Sequence, residues 1–175
     1  MKPMVLCSTG ALIGRPNGRD YTLLNMLSEK LICDGFEFMM YSDWYEKADE
    51  IVKFVSNAGV AIPVYHAHFV FDTKMAAFHD QLNLLYEDDN SYLWKDDHIC
   101  HYHVNDYGGG YKDWANLKTL PIGMGHIDFD EFFGFIRKIG YSGTFTLEST
   151  AFDNSGNVDT DMLNREVDYI REHLV

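Results

Sequence analysis

Positive charge is scarce in this chain: 14 Lys and Arg stand against 27 Asp and Glu, a formal net charge of −13 over 175 residues. Proteins that grip nucleic acid or anionic membrane surfaces meet phosphates with Lys and Arg, so no nucleic-acid and no membrane partner is expected. A small phosphorylated ligand stays compatible, because one local basic site would serve it, and the acidic excess itself reads as a solvated surface. Cysteine is sparse too. Cys7, Cys33 and Cys100 are odd in number, scattered and without a CxxC pair, which argues against a disulfide framework and for reduced thiols in a cytoplasmic protein. No apolar run reaches the ~18 residues of a membrane span, and the N-terminus lacks the charged, apolar and small-residue segments of a secretory signal. No low-complexity stretch or linker divides the chain. A single domain over 1–175 is expected, and 46% hydrophobic residues supply it with a core.

What is present is an alternation of strand-like and helix-like segments. Met4–Ser8 and Phe36–Tyr41 read as strands, as do Ala61–Thr73, His98–Val104 and Gly143–Glu148. Between them, Leu23, Leu24, Leu27 and Leu31 share one helical face, and Ala48, Ile51, Val52 and Val55 share another, with Asp43 and Glu46 spaced as a capping box. His79–Tyr86 is helical. Phe129, Phe132, Phe133 and Ile136 stripe a helix ending at Gly140, and Leu163, Val167, Ile170 and Leu174 stripe the last one. Gly10–Asp20 and Asp106–Gly125 read as loops. Repeated βα units predict an α/β fold, a parallel sheet with helices packed outside it.

Strand parity locates the chemistry. Successive residues point to opposite faces, so Ile99, His101 and His103 oppose Cys100, Tyr102 and Val104, while Thr144, Thr146 and Glu148 oppose Phe145 and Leu147. Each strand thus has an apolar face for helices and a second face that turns polar towards its C-terminal end, where (β/α) barrels and open α/β sheets alike gather their ligands. Asp72, His103 and Glu148 lie at strand ends on the interior parity, and two carboxylates with an imidazole suit a divalent cation of the Mn, Mg, Co or Zn kind. His101 shares the face of His103 and reads as a substrate contact or a supporting neighbour; His66 and His68 repeat that spacing. Lys74 and Arg15 could hold a phosphate or carboxylate. Gly123-Met-Gly125 could turn backbone N–H groups towards an anion, and Trp114, in the long loop, could cover a sugar.

One connection is missing. Ile62-Pro-Val-Tyr-His-Ala-His-Phe-Val-Phe-Asp-Thr73 runs two strand endings together with nothing between His68 and Phe69. Parallel strands need a crossover of about a dozen residues or more. As one strand, Ile62–Asp72 would keep a single parity and extend roughly 35 Å at ~3.3 Å per residue, long for a barrel strand. A fused hybrid strand and five strands in all are expected.

Phe71-Asp-Thr73, His101-Tyr-His-Val-Asn-Asp106, Leu120-Pro-Ile-Gly-Met-Gly-His-Ile-Asp128 and Gly140-Tyr-Ser-Gly-Thr-Phe-Thr-Leu-Glu-Ser149 together resemble the xylose isomerase-like TIM-barrel family of sugar phosphate isomerases and epimerases, relatives of the type IV AP endonucleases. The resemblance implies an incomplete TIM-barrel-like (β/α) fold of about five or six parallel strands. A complete barrel takes about 250 residues, and the fourth and fifth βα units have no counterpart here; the apparent junction falls near 68–69. It further implies Asp72, His103 and Glu148 as metal ligands, with the usual fifth-strand glutamate absent, Glu148 as the surviving acid/base, and a sugar or sugar phosphate as substrate, bound near His66, His68, His101, Lys74 and Trp114. Lys74, His101 and Glu37 are the candidates to replace the lost glutamate. Isomerisation or epimerisation through an enediolate is the expected activity. The alternatives are a non-catalytic remnant whose open sheet self-associates as a homo-oligomer, and an AP-endonuclease-like metal hydrolase, which the charge disfavours.

Overall fold

The computed structural model describes residues 2–67, 99–109, 116 and 118–175. Its centre is a five-stranded parallel sheet made of β1 (Met4–Ser8), β2 (Gly35–Met40), β3 (Val64–Ala67), β4 (His101–Val104) and β7 (Thr144–Leu147), in the order β3-β2-β1-β7-β4. Strands four positions apart in this order would stand roughly 19 Å apart in a flat sheet. Here the ring centroids of His66 on β3 and His103 on β4, the two outermost strands described, are 6.1 Å apart. The sheet therefore curls into a half-barrel with its polar face inside. The five expected parallel strands are those found among the described residues.

Alternation decides what packs where. Val5, Cys7, Phe36, Phe38, Tyr102, Val104, Phe145 and Leu147 are buried on the outer face, against α2 (Leu23–Lys30), α3 (Ala48–Asn57), α4 (Phe129–Ile139) and α5 (Thr160–His173), which follow a short turn of helix, α1 (Thr9–Leu12). Leu24, Leu27, Ile51, Val55, Phe133, Ile136, Leu163, Val167 and Ile170 are the buried faces of those helices, the same 3.6-residue stripes visible in the sequence. Asp128 and Asp159 cap α4 and α5 by accepting from Glu131 N and Met162 N, both at 2.9 Å. Gly140 ends α4 in the left-handed region at φ 66°, a conformation that favours glycine. Gly35 is needed for a different reason: a Cβ there would come within 2.5 Å of the Ala61 carbonyl, where β3 is led alongside β2. Asp34 then ties the end of the half-barrel together. Its carboxylate accepts from Val5 N at 2.8 Å and from Arg171 Nη2 at 2.7 Å, joining β1 to α5.

Three sequence expectations need correction. The loop expected over Asp106–Gly125 contains an antiparallel hairpin, β5 (Asp106–Gly108) with β6 (Lys118–Leu120). Part of the loop expected over Gly10–Asp20 is helical, in α1 and in a 3-10 turn at Arg15–Asn17. The Asp43–Glu46 capping box does not form: Ser42–Lys47 is a 3-10 run, and the Asp43 carboxylate pairs with the Arg19 guanidinium instead. The helix expected at His79–Tyr86 and the junction near 68–69 lie outside the described residues. No helix among the described residues is long and apolar enough to cross a membrane.

Phe133 is fully buried, with its ring 6.0 Å from Phe145 of β7 and 5.0 Å from Phe132. Phe133→Ala should lower the unfolding free energy by ~3–5 kcal/mol, measured by urea denaturation. A loss under ~1 kcal/mol would mean that α4 is not seated on β7 as described.

Candidate functional site

Inside the half-barrel, strand parity brings together Glu37 from β2, His66 from β3, His101 and His103 from β4, and Thr144, Thr146 and Glu148 on and just beyond β7. Glu37 is the centre. Its strand is otherwise apolar, with Phe36 and Phe38 turned outward into the core, so Glu37 alone places a charge on the inner face, and it is only 1% exposed. Such a carboxylate is costly to bury unless it is paired and hydrogen-bonded. Here three imidazoles meet it. His66 Nδ1 is 3.1 Å from Oε1, and His101 Nε2 and His103 Nε2 are 3.1 and 2.8 Å from Oε2.

His103 is held on both sides, with Nδ1 3.2 Å from Glu148 Oε2. Burial alone would push its pKa down, but hydrogen bonds and charge from Glu148 and Glu37 outweigh burial and raise it to about 10. Burial likewise pushes the Glu37 carboxyl up, and the hydrogen bonds from His101, His103 and His66 reverse this, leaving it well below the ordinary carboxylate range. Without a cation, the cluster is therefore a carboxylate–imidazolium–carboxylate chain from Glu37 through His103 to Glu148.

The donor set fits a divalent metal. One atom from each of Glu37, His101 and His103 lies within 4.8 Å of the other two, and two imidazoles with a carboxylate are ordinary ligands for such ions. The interior also has capacity left over. Ser8 Oγ, on β1 opposite Glu37, and Thr146 Oγ1, on β7 opposite His103, are buried and lack a hydrogen-bond partner among the described residues. A buried hydroxyl left unpaired is costly, and each of these two can hydrogen-bond to water or to a bound molecule.

Of the residues singled out in the sequence, His66, His101, His103 and Glu148 converge here. Asp72, His68, Lys74 and Trp114 lie outside the described residues. Arg15 is exposed on its 3-10 turn. The glycine pair Gly123 and Gly125 does turn its N–H groups on an anion, but the anion is the protein's own Asp106. Asp106 Oδ2 accepts from Gly123 N at 3.0 Å and Gly125 N at 2.7 Å, and Oδ1 accepts from Tyr107 N and Ile127 N. A Cβ on Gly125 would fall 2.4 Å from Asp106 Oδ1, so the cradle is closed to an external phosphate. Glu166 of α5 completes the frame. Its Oε1 accepts from Ile122 N at 2.6 Å and from Ser149 Oγ at 3.2 Å, anchoring the residue next to Glu148; burial raises its pKa. Sequence reasoning carried Glu37 only as a substitute base. The signal for a larger role was present: a single charge within Gly35-Phe-Glu-Phe-Met-Met40 on the inner parity.

A family model described as xylose isomerase-like TIM barrel matches residues 33–173. Among solved structures, the chain is similar to a xylose isomerase-like TIM barrel protein from Mycobacterium smegmatis in complex with magnesium, at 18% identity and a TM-score of 0.36. That match covers 80% of this chain and 44% of the other, so the chain spans less than half the length of that protein. No curated protein matches the sequence.

The two shifted groups set a pH window for the metal-free protein. His103, raised from its ordinary 6.5 to about 10, contributes stability that is complete below pH 6.5 and is lost as pH rises towards 10. Glu37, lowered from its ordinary 4.5, contributes stability present above pH 4.5 and lost as pH falls below it. Urea midpoints measured in chelator should therefore peak between these limits and decline from pH 7 to 10, and His103→Gln should flatten the alkaline decline. An alkaline limb identical in wild type and variant would contradict the pairing.

Proposed function

The chain belongs to the xylose isomerase-like TIM barrel family, and on that premise we propose that its interior cluster binds a divalent cation and moves a proton between adjacent carbons of a sugar or sugar phosphate, an isomerase reaction. The observation that carries this reading is the juxtaposition of the Glu37–His101–His103 donor set with a second carboxylate, Glu148, 3.2 Å from the far nitrogen of His103.

Glu37, His101 and His103 would hold the ion, which when bound supplies Lewis-acid polarisation of a substrate carbonyl. The rest falls to the chain's own groups. Glu148 is partly exposed where Glu37 is buried, so it is the carboxylate that a substrate can reach. It takes the proton from the hydroxyl-bearing carbon beside the carbonyl and returns it to the former carbonyl carbon, while the hydroxyl proton passes to the former carbonyl oxygen. The His103 Nδ1–H holds Glu148 in place for both steps. Ser8 and Thr146 offer unpaired hydroxyls to bound water or substrate oxygens.

Isomerase is favoured over epimerase for a geometric reason. A single base on one face can carry a proton between neighbouring carbons, whereas epimerisation removes it from one face and delivers it to the other. Among the described residues, the second interior carboxylate is Glu37, which is buried and occupied by three imidazoles.

The test is exchange of substrate C–H for deuterium in D2O, followed by NMR across aldoses, ketoses and their phosphates with the Mn²⁺- or Co²⁺-loaded protein. Glu148→Gln should reduce exchange by about 10²–10⁴-fold, measured at a metal concentration that calorimetry shows to saturate the variant. Exchange indifferent to Glu148→Gln, or no exchange with any sugar tried, would sink the reading.

A further inference from the structure

Each of the three metal donors has its other polar atom already engaged. Glu37 turns Oε2 to the two Nε2 atoms, and its Oε1 faces His66 Nδ1 at 3.1 Å. His103 turns Nδ1 to Glu148 Oε2 at 3.2 Å. His101 turns Nδ1 to Thr144 Oγ1 at 2.5 Å, and the Thr144 hydroxyl faces the Cys100 carbonyl at 3.5 Å.

A cation on both Nε2 atoms requires both imidazoles to carry their proton on Nδ1. Both Nδ1 atoms face an acceptor. For His103 it is the Glu148 carboxylate. For His101 it is the Thr144 oxygen, whose own hydrogen is directed to the Cys100 carbonyl. His66 donates to the carboxylate oxygen that the ion would leave free. The neighbours therefore hold the tautomers and orientations that a metal would need, and such outer partners are what fix ligand geometry in metal sites.

The composition of this set also discriminates between cations. Magnesium prefers oxygen ligands and gives up water reluctantly, whereas imidazole nitrogen suits zinc, cobalt and nickel. Asp72, His103 and Glu148, the set implied by the sequence resemblance, would be rich in oxygen; Glu37, His101 and His103 are two-thirds nitrogen.

Resting on the metal-dependent reading above, we infer that this chain holds its ion through Glu37, His101 and His103, with His66, Thr144 and Glu148 as their outer partners, and that the site selects a zinc- or cobalt-type cation over magnesium. Glu148 is then an orienting partner of His103 through Oε2 and keeps Oε1 for proton transfer.

The full chain, stripped with chelator, is titrated with Co²⁺ by visible absorption and with Zn²⁺ and Mg²⁺ by calorimetry. One Co²⁺ per chain is expected, with Mg²⁺ weaker by on the order of 100-fold or more. His101→Ala should remove the Co²⁺ spectrum. His66→Ala and Thr144→Val should each weaken Co²⁺ binding by about 10–100-fold. Thr144→Val keeps the shape of the side chain, and circular dichroism checks the fold of each variant. Two results would overturn the inference and leave the isomerase reading standing. One is Mg²⁺ binding as tightly as Co²⁺. The other is Co²⁺ binding that survives His101→Ala and Glu37→Gln but is lost in Asp72→Ala. A folded wild-type chain that binds none of the three ions would overturn both.

Discussion

The Glu37 carboxylate is the constraint on which the interior depends. It is 1% exposed and lies among strands whose outer faces are largely apolar. An uncompensated charge in such a place costs several kcal/mol, and removing a partner from a buried pair typically costs ~3–5 kcal/mol. Three imidazoles from two other strands meet the charge. One of them, His103, is itself held by a second carboxylate. Because β2 and β4 are separated by β1 and β7, these contacts exist only if the sheet curls. The apolar outer layer drives folding non-directionally; the polar knot at the centre rewards one particular curvature.

Two further buried carboxylates shape the rim. Asp106 accepts from four backbone N–H groups, and Glu166 from one backbone N–H and the Ser149 hydroxyl. Between them they staple the segment from Ile122 to Ile127 across the ends of β4 and β7, the strands that carry His103 and Glu148. A loop of this kind would ordinarily be free to shift. Here it is tied to the chain three residues beyond one functional side chain and to the residue next to the other. The glycines that resemble an anion site have thus been used for internal architecture.

Much of the fold was legible in the sequence because helix and strand periods follow from local backbone geometry. The stripe Phe129, Phe132, Phe133 and Ile136, the stop at Gly140 and the alternation of Tyr102 and Val104 against His101 and His103 all correspond to elements of the half-barrel. Where the reading failed, the cause was competition from partners distant in the chain. Asp43 is spaced as a helix cap, but a guanidinium 24 residues away takes its carboxylate. Asp106 begins a hairpin whose pairing partner, Leu120, lies beyond a segment with no periodic signal.

Strand parity, and with it the list of side chains that face inward, was determined by the sequence alone: a β-strand alternates its faces whatever surrounds it. His66, His101, His103 and Glu148 could be assigned to the interior on that basis. Which of these groups touch was decided only by the tertiary structure. Glu37 and His103 lie 66 residues apart in the chain and three strands apart in the sheet, so no local rule relates them. The curl that closes their separation to 2.8 Å is a property of the assembled sheet. It makes a residue that reads as a spare base the centre of the site.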